Sequence, residues 1–242
     1  MKEGPRSSDS SGCRAVLLDA LGTLVQLEPP WPLLRRRLAV RHGIEIPEAR
    51  AKEAMLAEFA YYRSHHREGF DERSLEDLRR RCAEVVRDRL PELRDLPAEA
   101  VKELLLDSLR FIPFRDAAPV LGALRAAGLR TAVVSNWDCS LPGVLAGIGL
   151  GGAVDAVVTS AEVGVEKPEP AIFQAALERI GRLPEEAVFV GDSLETDVLG
   201  ARAAGIRAAL LDRAAASDGL EIERIFSLAE VPRLASVATL DP

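Results

Sequence analysis

Four stretches of the chain end an apolar run on a side chain able to do chemistry. Asp19 follows "AVLL", Ser135 and Asn136 follow "TAVV", Thr159 and Ser160 follow "DAVV", and Asp192 and Ser193 follow "AVFVG". A carboxylate such as Asp19 can attack a phosphorus or carbon centre and form a covalent intermediate that water then opens. The residue two further on, in "DALGT", is Leu21. It stands where a second acid would be useful for proton transfer. Gly22 permits a tight turn or a close backbone approach, Thr23 can tie the loop by hydrogen bonding, and Gly191 can serve Asp192 as Gly22 serves the first loop. One Asp or Ser at a strand end is ordinarily a loop residue or a helix cap. The signal is the coincidence of four.

Positioning such residues requires strands that end side by side. "RAVLLDA" reads as a buried strand opening into a loop. From Trp31 to Leu109 the pattern changes to amphipathic helices, as in "EARAKEAMLAEFAYYRSHH", with apolar residues three and four apart. After "FIPF", apolar strands alternate with helices: "APVLGALRAAG" helix, "LRTAVVSN" and "VDAVVTS" strands, "PAIFQAALERIG" helix, "EAVFVGDS" strand, "TDVLGARAAG" helix, "IRAALLD" strand. That alternation implies a parallel sheet covered on both faces, with ligands beyond the carboxyl ends of its strands. The expected organisation is a loose tail over residues 1–12, an α/β core of residues 13–27 plus 112–242, and a helical insertion over residues 28–111.

In order and spacing, these motifs resemble the haloacid dehalogenase-like hydrolase superfamily. "DALGT" matches its first motif, Ser135 its second, Lys167 in "EKPEP" its third and "GDSLETD", with Asp192 and Asp197, its fourth. The insertion falls where that family places a helical cap. The resemblance implies a Rossmann-like parallel sheet with an inserted all-helical cap, and Asp19 as nucleophile. It implies Mg²⁺ held by Asp19, the backbone carbonyl of Leu21 and Asp192, with Asp197 holding metal-bound water. Ser135 would donate to a transferring phosphoryl oxygen and Lys167 would compensate charge, with Asn136 and Thr23 helping on the substrate side. The chemistry is consistent with this: clustered carboxylates are unfavourable without a cation, and Mg²⁺ takes few protein carboxylates together with a substrate phosphate. For Asp197, the competing reading is an acid at a helix N-terminus.

Leu21 divides the possibilities. The phosphatase branch usually carries a second aspartate there, to protonate the leaving alkoxide and assist water. Losing such assistance costs roughly 10²–10⁴-fold, most for alkyl esters and least for acyl and aryl phosphates. The dehalogenase branch carries "DAYGT", needs no proton for a halide and uses no metal, but does not usually keep an acidic fourth motif. The expectation is a Mg²⁺-dependent phosphatase acting on a small phosphorylated molecule. A metal-independent 2-haloacid dehalogenase and a noncatalytic binding protein are the alternatives. In the insertion, "FAYYRSHHREG" offers Tyr61, Tyr62, Arg63, His65 and His66 for a proton route, although an exposed helix end is the simpler reading.

Composition narrows the field. With 48% hydrophobic residues over 242 positions the chain can bury a sizeable core, and the net charge of −7 argues against nucleic-acid or anionic-membrane partners. No apolar run is long enough to span a bilayer and the polar start has no signal-peptide pattern, so a cytoplasmic protein is expected. Cys13, Cys82 and Cys139 show no metal-ligand spacing and read as free thiols.

Overall fold

The computed structural model describes residues 12–215 and 222–235, so the expected tail lies almost wholly outside the described residues. Strand β1 (Ala15–Leu18) is central because every side chain in it is apolar and none reaches solvent. Its period of two sends Ala15 and Leu17 into one apolar cluster and Val16 and Leu18 into another on the opposite face. The sequence pattern for a strand buried on both faces is therefore met.

A short ribbon follows, in which β2 (Val25–Leu27) pairs antiparallel with β3 (Phe111–Pro113). Between the ribbon strands lie four helices: α1 (Pro30–His42), α2 (Glu48–His65), α3 (Glu72–Arg89) and α4 (Ala98–Ser108). They enclose their own core around Leu34, Met55, Leu78, Val86, Leu90 and Leu104. On α2 the inward stripe is Ala51, Ala54, Met55 and Glu58, at helical spacing. The start of α3 is fixed by Asp71, whose side chain accepts from Ser74 N at 2.7 Å while Ser74 Oγ accepts from Asp71 N at 3.0 Å.

The chain then alternates. Helix α5 (Ala117–Ala126), β4 (Arg130–Ser135), α6 (Leu141–Gly147), β5 (Ala156–Thr159) and the single turn α7 (Ser160–Val163) lead into α8 (Pro170–Ile180). Next come β6 (Ala187–Gly191), a π-helical turn over Leu194–Leu199, α9 (Gly200–Ala203) and β7 (Arg207–Leu211). The two-residue β8 (Arg224–Ile225) and α10 (Val231–Leu234) complete the described chain. The six strands of the main sheet run in the order β5-β4-β1-β6-β7-β8, all parallel. The ribbon, α6 and β8 go beyond the sequence reading; β8 is too short to carry a periodic signal.

Register sets the site. Leu18 lies opposite Val133 on one side and Val190 on the other, so Asp19, Ser135 and Asp192 leave neighbouring strands at one edge. Behind them Phe173 and Phe189 are fully buried and meet edge to face at 5.1 Å. Burying such a side chain stabilises the fold by roughly 1.5–3 kcal/mol. No helix among the described residues is long and apolar enough to cross a membrane.

Candidate active site

The strand-end residues converge with a lysine from a distant loop. Lys167 Nζ lies 2.5 Å from Asp19 Oδ1 and 2.5 Å from Asp197 Oδ1, and Ser135 Oγ donates to Asp19 Oδ1 at 3.1 Å. Both of these bonds to Asp19 fall on Oδ1; Oδ2 takes none among the described residues. Asp19, Ser135, Lys167 and Asp197 are all buried. The ammonium also sits 5.6 Å from the centre of the Phe189 ring, on the face of the sheet that Leu17 helps fill. Burial alone would pull the Lys167 pKa down, but the two aspartates more than offset it and the ammonium is held above its usual range.

Asp192 completes an acidic cluster. Asp19, Asp192 and Asp197 each bring a carboxylate oxygen within 4.8 Å of the others. Two glycines make this approach possible. Gly22, at φ +89°, would place a Cβ 2.1 Å from Asp192 Oδ2, and a Cβ on Gly191 would lie 2.3 Å from Asp197 Oδ2. The carboxylates occupy space that any side chain would fill. Asp192 is exposed as a residue, yet its carboxyl lies down against Gly22, and this desolvation together with Asp197 pushes its pKa up. Burial, and then the charges of Asp197 and Asp192, push Asp19 up to about 7 even though Lys167 pulls it down. Three carboxylates against one ammonium leave a surplus of negative charge that a divalent cation would neutralise. This donor set fits Mg²⁺. Asp197 serves the start of the π-helical turn and the cluster at once: its Oδ2 accepts from Ser193 N at 3.0 Å while Oδ1 holds Lys167.

The remaining sequence candidates are placed differently from expectation. Asn136 is a scaffold: its Oδ1 accepts from Lys167 N at 2.7 Å and its Nδ2 donates to Lys167 O at 3.0 Å. Thr23 is fully enclosed and its Oγ1 has no hydrogen-bond partner among the described residues, so the expected substrate contact has no surface through which to act. It ties the loop through its backbone, with N donating to Ala20 O at 3.3 Å and O accepting from Arg213. Leu21 is 43% exposed beside this loop. Thr159 caps the turn α7 and Ser160 Oγ bonds both N and O of Trp137, so these two serve the backbone.

Arg213 carries no signal in the sequence, and part of the insertion departs from its simpler reading. Arg213 grips both oxygens of Asp116 at 2.9 and 3.0 Å, stacks 3.9 Å over Phe114 and bonds Thr23 O at 3.0 Å, fastening the ribbon's exit to the first loop. In the insertion, the exposed-helix-end reading fails for His66, which is buried, and for Tyr62, which is half-buried with its hydroxyl 2.8 Å from Asp138 Oδ2. The signal was present: Tyr62 continues the stripe of Ala51, Met55 and Glu58 at steps of four, three and four. Cys13, Cys82 and Cys139 are free thiols.

A family model of haloacid dehalogenase-like hydrolases matches residues 13–205. The chain is 32% identical over 223 residues to phosphoserine phosphatase of Thermus thermophilus, a match covering 83% of this chain and 89% of that one. It is 45% identical over 100 residues to haloacid dehalogenase-like hydrolase domain-containing protein 3 of Danio rerio, spanning 41% of each chain. Among solved structures, the HAD phosphatase of Thermococcus onnurineus superposes with a TM-score of 0.65 at 28% identity, over 94% of this chain and 100% of that one. The 2-haloacid dehalogenase of Pseudomonas syringae gives 0.63 at 25% identity, over 93% and 98%.

Proposed function

Because the chain belongs to the haloacid dehalogenase-like hydrolases, we propose that it is a Mg²⁺-dependent phosphatase of small phosphorylated metabolites, with residues 28–111 as a cap over the site. The observation that carries this reading is the three-aspartate cluster with a single lysine between two of its members. A dehalogenase substrate is itself a carboxylate, and this much negative charge would repel it. The Thermus relative, named a phosphoserine phosphatase, supports the same choice.

Asp19 attacks phosphorus, the bond from phosphorus to the leaving oxygen breaks, and an aspartyl phosphate remains for water to open. Ser135 Oγ, 3.1 Å from Asp19 Oδ1, would donate to an oxygen of the transferring phosphoryl group, and Lys167 favours the ionised form of Asp19 and would offset the charge of the intermediate. Asn136 fixes the lysine's backbone. Asp19, Asp192 and the carbonyl of Leu21 would hold Mg²⁺, with Asp197 the further acid beside them. When bound, the ion supplies positive charge that draws in a phosphate oxygen and stabilises the transition state. Leu21 has no proton for the leaving group. Acyl and aryl phosphates, which leave readily as anions, are therefore the favoured substrates over alkyl esters.

The test is phosphate release from acyl, aryl and alkyl phosphates, with and without Mg²⁺, beside Asp19→Asn. Metal-dependent release that falls in that order and vanishes in the variant is expected. No release from any of them overturns the reading, and halide release from 2-haloacids would then install the alternative that "DALGT" favours.

A further inference from the structure

The loops that carry Ser135 and Lys167 form a single unit. Asn136 joins them through both backbone atoms of Lys167, and Ser160 Oγ braces Trp137 at 3.0 and 3.2 Å. One eight-residue stretch of the insertion, Tyr62 to Gly69, touches this unit through four residues, and Arg67 Nε also lies 3.7 Å from Glu166 Oε2. Tyr62 donates its hydroxyl to Asp138 Oδ2 at 2.8 Å, and Cys139 N donates to Gly69 O at 2.8 Å. His66 Nε2 lies 3.3 Å from Glu166 Oε2, next in sequence to Lys167, while Arg67 donates to Gly164 O at 3.3 Å. None of these contacts ends on Asp19, Ser135 Oγ or Lys167 Nζ.

We propose that Tyr62 and His66 are positioning residues, a two-point latch that sets the Ser135 and Lys167 loops in catalytic geometry only while the cap is seated. The Tyr62 end is the stronger. Asp138 is buried, its other oxygen is committed to Ser140 N at 2.7 Å, and burial beside that carboxylate keeps the Tyr62 phenol protonated as a donor. Removing the hydroxyl leaves a buried carboxylate oxygen short of a partner. At the other end His66 Nδ1 donates to Arg63 O at 2.9 Å, which leaves Nε2, without a hydrogen-bond partner among the described residues, 3.3 Å from Glu166 Oε2; this point of the latch closes when the ring carries a proton on both nitrogens. Glu166 is partly exposed, and its backbone continues into Lys167. A displacement of Glu166 is transmitted to the lysine within one peptide unit.

The catalytic half of this inference rests on the phosphatase reading, whereas the mechanical half does not. The experiment is hydrogen exchange by mass spectrometry on the metal-free full chain, for the wild type and for Tyr62→Phe with His66→Leu. Tyr61→Phe is the control, since that hydroxyl bonds Arg81 inside the insertion. Amides of residues 136–140 and 164–169 are expected to exchange about tenfold faster in the double variant, with β1 and β6 unchanged. On the best substrate of the panel kcat should fall about tenfold with KM within about twofold, because positioning is lost and ground-state binding is not. Exchange in both loops at the wild-type rate overturns the latch, as does acceleration throughout α1 to α4 to the extent seen in Tyr61→Phe. Should the double variant not fold, Glu166→Gln, altered on the core side alone, decides by the same exchange in residues 164–169. Loop acceleration in a protein without turnover would retain the latch and discard the phosphatase reading; turnover without acceleration would do the reverse.

Discussion

Glu58 faces the interior of the four-helix insertion, 3% exposed, with Oε2 lacking any hydrogen-bond partner among the described residues. Burial raises its pKa from 4.5 to about 7, opposed only by the thiol of Cys82. The folded state thus holds a proton that the unfolded chain gives up above 4.5. Stability from this group is complete below pH 4.5, declines as pH rises, and is lost once pH passes about 7. A shift of about 2.5 units corresponds to about 3 kcal/mol at most. Glu58→Gln keeps the shape and cannot ionise. In urea unfolding at pH 5, 7 and 9, the advantage of the variant over the wild type should widen between pH 5 and 9 by about 2–3 kcal/mol. Parallel stability curves for the two proteins would refute the argument, because they would mean that Glu58 titrates alike in both states.

Lys167→Met removes the cation between two buried aspartates, so the metal-free protein should lose about 3–5 kcal/mol in thermal unfolding, and Mg²⁺ should restore part of that loss. Gly22→Ala drives a Cβ into Asp192 at a left-handed φ; about 1–3 kcal/mol of stability should go, together with most of the rise in Tm produced by Mg²⁺. Leu21→Asp places an acid at a position already 43% exposed, and it should raise kcat on alkyl phosphates by up to about 10²-fold while leaving acyl phosphates almost unchanged. A uniform change across the panel would show that the missing acid is not what orders the substrates.

The sheet was legible because each core strand announces itself by an apolar run that stops at a polar residue, as "AVLL" stops at Asp19. Lys167 was legible only through its motif: a lysine before a proline is ordinarily an exposed loop residue, and its burial depends on carboxylates 148 and 30 positions away. Asn136 shows the converse. Its type and place suggested a contact with substrate, but an amide can satisfy one donor and one acceptor at once, and the backbone of Lys167 offers both. Tyr62 and His66 lay on a readable helical stripe, yet periodicity reports only which face is covered. What covers it, Asp138 and Glu166, belongs to loops 76 and 100 residues further along the chain.

The antiparallel ribbon has a consequence for how the chain comes together. Leu27 stands opposite Phe111, so the two ends of the insertion leave the sheet side by side. A disordered stretch of the same length, roughly 80 residues, would burden assembly of the core with a length-dependent ring-closure entropy of about 4 kcal/mol. A bundle with its own apolar core that presents its ends at one strand spacing turns that stretch into a tight hairpin as far as the core is concerned. The core then needs only local closure at this junction, and another bundle with ends equally close could be spliced in without shifting the register of any strand.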